Sequence, residues 1–276
     1  MRLIDVHHLG RERVIGCWQV DDVLIDPGPE SSLPSVLEAL GDQEPRALLL
    51  THIHLDHAGG AGALVRRWPQ LEIYVHEVGA PHLADPRKLL RSAERLYGDR
   101  MRELWGEVLP IPEENLRPLS GGESVFSFDV AHTPGHASHH VSFLHQESGR
   151  AFVGDVAGVR IEPCELVLAP TPPPDIDIDA WLGSLRLVEQ WRPGSLGITH
   201  FGVIPEPEEH LGDFRAELST TAGLARELSE AEFERLLRDR MSSCDAETER
   251  VFVQTMPPPQ QFLGLNRYWE KRRGAG

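Results

Sequence analysis

Cysteine is scarce in this sequence. The 276 residues include three cysteines, Cys17, Cys164 and Cys244, whose spacing matches no metal-binding motif. An odd number of widely separated cysteines argues against a disulfide framework and against a zinc site built on thiolates. We therefore expect free thiols, as in proteins of a reducing compartment.

Long apolar runs are also absent. A helix that spans a membrane needs roughly 18 or more consecutive apolar residues, and the sequence has no such run. Its first residues, MRLIDVHH, carry charges where a signal peptide has an apolar core. We expect a soluble, cytoplasmic protein with no membrane partner.

Positive charge is the third feature in short supply. The sequence has 27 lysines and arginines against 43 aspartates and glutamates, a formal net charge of −16. Proteins that bind nucleic acid neutralise phosphates with lysine and arginine, so this balance argues against a nucleic-acid partner. We expect a small-molecule substrate, and a homo-oligomer is compatible with the sequence.

Histidine is abundant, with 14 residues, and several of them cluster. His52, His54, Asp56 and His57 follow the apolar run 47–50 directly. Such closely spaced groups would repel one another or stay unpaired without a cation. At the end of an extended strand, His52 and His54 point to the same side, and the two residues past the strand can reach a second ion. The pattern predicts a metal site with room for two ions.

Three later segments each end a short apolar or β-branched run with a ligand-type residue. These residues are His136, Asp155 and His200. Strand ends at one edge of a sheet are a common place for functional side chains, because the scaffold behind them is rigid. His139 and His140 remain alternatives as ligands or outer contacts, and His132 is expected to be structural.

Strand and helix patterns alternate along the chain in two β-rich halves, which predicts a layered α/β architecture. The predicted strands lie at 14–20, 23–26, 71–76, 124–129, 141–145 and 151–153, with a further strand before His200. The predicted helices lie at 31–41, 58–68, 79–105 and 178–191, and a capping box starts at Ser229.

The order and spacing of these residues resemble the metallo-β-lactamase-fold hydrolases, the superfamily that includes glyoxalase II enzymes and quorum-quenching lactonases. The resemblance covers residues 1–205 and implies a four-layer αβ/βα sandwich. It implies that His52, His54 and His136 hold one metal, that Asp56, His57 and His200 hold a second, and that Asp155 bridges them. We predict a catalytic domain at 1–205 with a helical insertion at 79–107, and a helical C-terminal extension at 206–276. In this family such an insertion can cover the active site, and a simple connecting helix pair is the alternative.

The resemblance also implies the chemistry. It points to hydrolysis of an ester, thioester or lactone bond by a hydroxide that bridges two divalent ions, with zinc as the expected metal and iron or manganese as alternatives. Asp56 is the candidate catalytic residue, because it could orient the hydroxide or move a proton to the leaving group. We interpret Arg87, Lys88, Arg91 and Arg95 as a solvated helix face, and Arg160 as the better candidate to contact an anionic substrate.

Departures from individual subfamilies limit the substrate. The segments 156–161 and 201–205 lack the residues expected near the metals and around glutathione in glyoxalase II, which argues against that reaction. Common zinc β-lactamases are exported and carry cysteine where Asp155 stands, so antibiotic hydrolysis is not expected.

Two other classes stay open. A persulfide dioxygenase-like oxygenase would need His52, His136 and Asp155 around one iron(II) and would leave the other three ligand-type residues without a metal. The second alternative is a binding or scaffold module that holds no metal.

Overall fold

A computed structural model describes residues 1–274. The first half of the chain forms a six-stranded sheet in the order β1-β2-β3-β4-β5-β6. The strands are Arg2–Asp5 (β1), Gly16–Val20 (β2), Val23–Ile25 (β3), Ala47–Leu49 (β4), Glu72–His76 (β5) and Leu116–Leu119 (β6). Strands β3 to β6 run parallel, so their carboxyl ends share one edge of the sheet.

A second six-stranded sheet has the order β14-β13-β10-β9-β8-β7. Its strands are Ser124–Val125 (β7), Phe128–His132 (β8), Val141–His145 (β9), Arg150–Gly154 (β10), Ser195–Ile198 (β13) and Gly202–Ile204 (β14). The antiparallel pair Val159–Arg160 (β11) and Val167–Leu168 (β12) lies between β10 and β13 in the chain. Strands β10 and β13 are parallel, so they also end at a common edge.

The helices of the first half are Leu33–Leu40 (α1), Leu55–Ala58 (α2), Ala61–Arg67 (α3), Ala80–Ala84 (α4), Arg87–Tyr97 (α5) and Met101–Trp105 (α6). Helix α7, Ile178–Gln190, belongs to the second half. The C-terminal helices are Pro207–Glu227 (α8), Glu230–Met241 (α9), Ala246–Thr255 (α10) and Pro258–Gly274 (α11).

Alternation along the central strands assigns each side chain to one of two apolar layers. Leu24 and Leu48 pack in the core shared with the helices, whereas Ile25 and Leu49 face the second sheet. Phe128, Phe143 and Phe152 fill the layer between the sheets together with Trp18. Successive strand residues point to opposite faces, so this alternation requires helices outside and a sheet inside. The predicted four-layer sandwich with a helical C-terminal region is confirmed.

One predicted strand is wrong. The segment 124–129 is two strands, β7 and β8, which pair antiparallel through Ser124 opposite Asp129. The chain reverses at Phe126, whose φ of 53° is the left-handed conformation that a continuous strand cannot contain. The β8 strand then continues to His132, three residues beyond the predicted end.

The cysteine prediction is also wrong for two of the three residues. Cys164, which follows β11, and Cys244, which follows α9, form a disulfide across 80 residues of sequence. Cys17 is a free, buried thiol on β2. Because the pairing exists, the cysteines no longer favour a reducing compartment.

The C-terminal helices are attached to the rest of the chain at several places. Helix α8 packs on α7 and β12, and the predicted capping box of α9 is present, with Ser229 and Glu232 bonded to each other's backbone N–H. On α11, Trp269 donates to the Ala222 carbonyl of α8. The domain boundary at 205 stays a prediction, although the helical segment does begin at Pro207. Among residues 1–274, no helix combines the length and the apolar character that crossing a membrane requires.

Candidate metal centre

The four predicted ligands of the first motif sit on a loop and a short helix rather than on a strand. Strand β4 ends at Leu49, so His52 and His54 lie in the loop, and Asp56 and His57 lie on α2. Helix α2 begins at Leu55 and carries both Asp56 and His57. Just past the end of β4, the backbone N–H of Thr51 donates to Oδ1 of Asp26.

The other three predicted ligands come from the second sheet. His136 lies in the loop between β8 and β9, Asp155 follows β10, and His200 follows β13. The common edge of β10 and β13 therefore brings Asp155 and His200 together, as the strand-end argument predicts.

Seven side chains converge at this edge, in overlapping groups of three. In each group the ligand atoms lie within 4.8 Å of one another, and the groups are His52, His54 and His136, then His52, His57 and Asp155, and then Asp56, His57 and His200.

In the first group, Nδ1 of His54 lies 3.0 Å from Nε2 of His52 and 3.0 Å from Nε2 of His136. In the last group, Oδ2 of Asp56 lies 3.4 Å from Nε2 of His200 and 3.8 Å from Nε2 of His57. The three ligand atoms of each group are close enough together to share one cation.

Asp155 stands between these two groups. Its Oδ1 lies 3.3 Å from Nε2 of His57 and 3.5 Å from Nε2 of His200, and its Oδ2 lies 3.2 Å from Nε2 of His136. One carboxylate thus presents an oxygen to each group.

The donor set suits divalent cations, and the unpaired atoms support the same conclusion. Nε2 of His57 and Oδ1 of Asp155 are buried and have no hydrogen-bond partner within residues 1–274. A buried polar atom without a partner costs about 1–3 kcal/mol, and a metal ion would remove that cost. Imidazole nitrogen and carboxylate oxygen are ligands that zinc, iron and manganese accept. The clusters therefore support the binding of divalent metal, whose identity the donor set leaves open.

Three of the imidazoles are oriented from behind by backbone or hydroxyl groups. Nδ1 of His136 donates to the Pro170 carbonyl at 2.8 Å, and Nδ1 of His200 donates to the Val14 carbonyl at 2.6 Å. Nδ1 of His52 lies 3.1 Å from Oγ1 of Thr51. In each case Nε2 is left to face the site, which is the usual arrangement behind metal-bound histidines.

Asp26 is the functional residue that sequence reasoning missed. Its Oδ2 accepts from Nδ1 of His57 at 2.8 Å, from the Thr51 hydroxyl at 2.6 Å and from the Thr199 hydroxyl at 3.1 Å. It is fully buried and links loops from both sheets. The available signal was its position at the end of the predicted strand 23–26, but a single aspartate at a strand end matches no ligand motif.

The imidazoles differ in their preference for a proton. Burial lowers the pKa of His52, His54 and His136, so these rings are neutral. Burial acts the same way on His57 and His200, but carboxylates, Asp155 foremost, raise the pKa of both rings above the ordinary value. The electrostatic potential is therefore more negative around His57 and His200 than around His52, His54 and His136.

The carboxyl groups respond in the opposite sense. Burial opposes the ionisation of Asp56 and Asp155, yet the neighbouring imidazoles, with His57 first among them, hold the pKa of both carboxyls below the usual range. Both aspartates are therefore ionised, which is the form that binds metal.

The remaining histidines near the site have other surroundings. His132 stacks on His76 with ring centres 4.1 Å apart, in agreement with a structural role. His140 is held through Nδ1 by the Thr133 hydroxyl, and neither His139 nor His140 belongs to a group of convergent ligand atoms within the described chain. Gly154 is required beside His140, because a Cβ there would lie 2.8 Å from its Nε2 and would meet Thr51.

Two cavities open onto the ligands. The narrower, about 90 Å³, is bounded by α5, the proline-rich segment 170–174 and the start of α11, and it reaches His54, Asp56, Asp155 and His200. The wider, about 750 Å³, reaches Asp56 and His200 from the side of α10. Helix α5, within the segment 79–107, therefore forms a wall of both cavities. Arg160 pairs with Glu162 at 3.1 Å and lines neither cavity, and the basic residues 87, 88, 91 and 95 do not line them either.

The comparisons with known proteins agree with this geometry. The family described as the metallo-beta-lactamase superfamily matches residues 21–200. The metallo-beta-lactamase fold-containing protein ST1585 of Sulfurisphaera tokodaii is 29% identical over 206 residues, which cover 71% of this chain and 75% of that protein. The crystal structure of ST1585 aligns over 98% of both chains with a TM-score of 0.70 and 20% identity, which shows a shared fold.

Two further relatives carry more specific names. Hydroxyacylglutathione hydrolase of Xylella fastidiosa strain 9a5c is 37% identical over 123 residues, or 44% of this chain. The match spans only 36% of that enzyme's length. The crystal structure of TTHA1623 in a di-iron-bound form is 28% identical, with a TM-score of 0.54, and the alignment covers 72% of this chain and 90% of that one. With the family matched over most of its length and the metal-binding clusters in place, this chain belongs to the metallo-beta-lactamase superfamily.

Proposed function

We propose that this protein is a hydrolase with two divalent metal ions, which cleaves an ester, thioester or lactone bond of a small-molecule substrate. The observation that carries the proposal is Asp155, whose two oxygens face different groups of ligand atoms. A carboxylate in that position suits two neighbouring cations. Family membership and the relatives named hydroxyacylglutathione hydrolase support the reaction class.

In this proposal one ion is held by His52, His54 and His136. The other is held by Asp56, His57 and His200, and Asp155 is shared between the two ions. When bound, two divalent ions supply a water with a lowered pKa and polarise the carbonyl oxygen of the substrate. Zinc is the proposed metal, and the di-iron neighbour makes iron the first alternative to test.

Asp56 is the proposed catalytic residue. Its side chain is 23% exposed and lines both cavities, so it can contact the substrate as well as the ligand cluster. In this role the ionised carboxylate orients the attacking water or moves a proton to the leaving group. For a bond R–CO–XR′, one water is consumed, and the products are R–COO⁻, HXR′ and one proton.

The oxygenase alternative is less well supported. It uses one iron(II) and would leave Asp56, His57 and His200 converging on a point without function. The ligand atoms of that group, like those of the first, lie within 4.8 Å of one another, which favours two ions.

The test is the metal content of protein purified without added metal, followed by assays with esters, thioesters and lactones. We expect two metals per chain and hydrolysis that is lost in His57→Ala and His200→Ala, while His7→Ala, an exposed histidine away from the cluster, keeps it. One iron per chain with persulfide-dependent oxygen uptake and no hydrolysis would establish the oxygenase instead. Protein that binds no divalent metal would refute the proposal.

A further inference from the structure

The narrow cavity is continuous with the ligand cluster. His54, Asp155 and His200 lie at its inner end, so it meets both groups of ligand atoms, whereas the wider cavity meets only Asp56 and His200 of the cluster. A group bound in the narrow cavity is therefore held directly beside the place where the scissile bond must lie.

The walls of this cavity are apolar on two opposite sides. Leu89, Ala93 and Leu96 project from one face of α5, since they are four and three residues apart. The proline-rich segment contributes Pro172, Pro173 and Pro174 from the other side. The polar, uncharged lining residues are Ser92, Tyr97, Thr255, Gln260 and Gln261. Away from the metal ligands, no lining residue in the described part of the chain carries a charge.

An uncharged lining decides which chemical groups can enter. A carboxylate or phosphate in such a cavity would lose its hydration without a cation to replace it, and that loss is large. An aliphatic chain gains about 0.8 kcal/mol for each methylene that leaves water. The wider cavity is lined by Arg11, Arg100, Arg238 and Arg250, partly balanced by acidic partners such as Glu247, so it provides a polar space for the other part of a substrate.

We propose that the narrow cavity binds the acyl group of the substrate, and that the substrate is an ester or thioester of an aliphatic acid whose chain carries no charged group. Ala93 then sets the length of the acyl chain. It is small, only 6% exposed, lines the cavity, and belongs to the same apolar cluster as Leu55, Leu104 and Trp105. This inference rests on the proposed hydrolase function.

The first experiment uses full-length, metal-loaded protein and p-nitrophenyl esters from acetate to octanoate. We expect kcat/KM to rise about fourfold with each methylene until the cavity is full and then to fall. The p-nitrophenyl ester of succinate, which ends in a carboxylate, should react at least tenfold more slowly than the pentanoate ester. A flat profile across chain lengths would overturn the acyl assignment.

Substitutions on α5 test where the acyl chain of the substrate binds. Ala93→Leu should move the optimum to shorter esters, and Leu89→Ala, which removes a wall, should move it to longer ones. Glu94→Leu adds the same side chain to an exposed position of α5 and should leave the profile unchanged. Because Leu89→Ala does not crowd the core, it remains informative if Ala93→Leu fails to fold. Optima that stay in place in both cavity variants would refute the role of α5.

A binding measurement separates this inference from the proposed function. Calorimetric titration of unreactive aliphatic acids into wild-type protein should give affinity that rises with chain length, and the rise should stop earlier in Ala93→Leu. Hydrolysis of the ester series at rates that do not depend on acyl chain length would reject the acyl cavity and leave the hydrolase function supported. Chain-length-dependent binding without hydrolysis of any ester or thioester would reject the hydrolase and leave the cavity assignment standing. Affinity that does not depend on chain length would reject the cavity assignment.

Discussion

Oδ2 of Asp26 lies 2.8 Å from Nδ1 of His57, and both side chains are buried. The same carboxylate accepts from Thr51 of the first metal-binding loop and from Thr199, the residue before His200. Asp26 therefore connects the two sheets at the back of the site without facing the ligand cluster itself.

This contact gives a prediction for Asp26→Asn. The substitution keeps the shape but removes the charge that orients His57, so we expect the second metal to bind about 10–100-fold more weakly. Metal titration of the apoprotein, followed by elemental analysis, measures the effect. Asp22→Asn, at the exposed residue just before β3, is the control. Equal affinity in wild type and Asp26→Asn would contradict the orienting role.

The contact between α11 and the proline-rich segment gives a second prediction. A Cβ at Gly264 would overlap the Thr171 carbonyl oxygen, and Gln261 bonds the Thr171 backbone N–H beside it. Pro170, the adjacent residue, accepts from His136. We expect Gly264→Ala to destabilise the protein by about 1–3 kcal/mol and to reduce metal binding, because the backbone that it displaces orients a ligand.

Gly223 of α8 is the matched control for that experiment. Nothing lies within 4 Å of a Cβ built there, and alanine stabilises a helix interior by about 0.5–1 kcal/mol relative to glycine. The two substitutions should thus shift the denaturation midpoint in opposite directions. A stabilising effect at both positions would show that the α11 contact is not as tight as described.

The disulfide gives a third prediction. Cys164 and Cys244 close a loop of 80 residues, which restricts the unfolded chain, and its loss should cost about 4 kcal/mol on the chain-entropy account. Thiol titration of unreduced, unfolded protein should find one reactive group, Cys17. Cys244→Ser should lower the urea midpoint, and reducing agent should lower it in wild type but not further in the variant. Three reactive thiols in the unreduced protein would refute the pairing.

His8 gives a fourth prediction, about pH. Burial lowers the pKa of His8 to about 4, and its ring stacks on Trp105 with centres 5.5 Å apart. In the unfolded chain the ring takes up a proton near its ordinary value of 6.5, so the unfolded state binds more protons between pH 6.5 and pH 4. Stability should therefore fall as pH is lowered through that window, by up to about 1.4 kcal/mol per pH unit for this ring.

The measurement is the free energy of unfolding in urea at a series of pH values, for wild type and for His8→Phe, which keeps the stack on Trp105. The variant should show a shallower loss below pH 6.5 and a profile parallel to wild type above pH 7.5. Identical slopes below pH 6.5 would contradict the burial of a neutral His8.

The parts of the site that could be predicted from sequence are those encoded locally. His52 and Asp155 each follow an apolar run within a few residues, and the chain order of the ligand-type residues is typical of the family. The layered α/β fold was predicted from the alternation of strand and helix patterns along the chain. These features need no knowledge of which distant residues meet.

The missed features all depend on distant contacts or unusual backbone conformations. Asp26 gains its role only when β3 and β4 lie side by side, and the disulfide joins residues that no local pattern connects. The reversal at Phe126 uses a left-handed conformation in an aromatic residue, whereas turn prediction relies on glycine, asparagine and proline. Sequence composition does not report either kind of information.

The contact of α11 with the proline-rich segment also has a consequence for synthesis of the chain. Thr171 precedes Gln261 by 90 residues, so the ribosome makes the imidazoles and carboxylates of the cluster long before the helix that clamps the segment behind His136. A nascent chain that has not yet reached α11 contains all seven ligand residues but lacks the helix that contacts Thr171. Metal that enters before α11 has docked meets a site that lacks the contact between Gln261 and Thr171 beside the segment that orients His136.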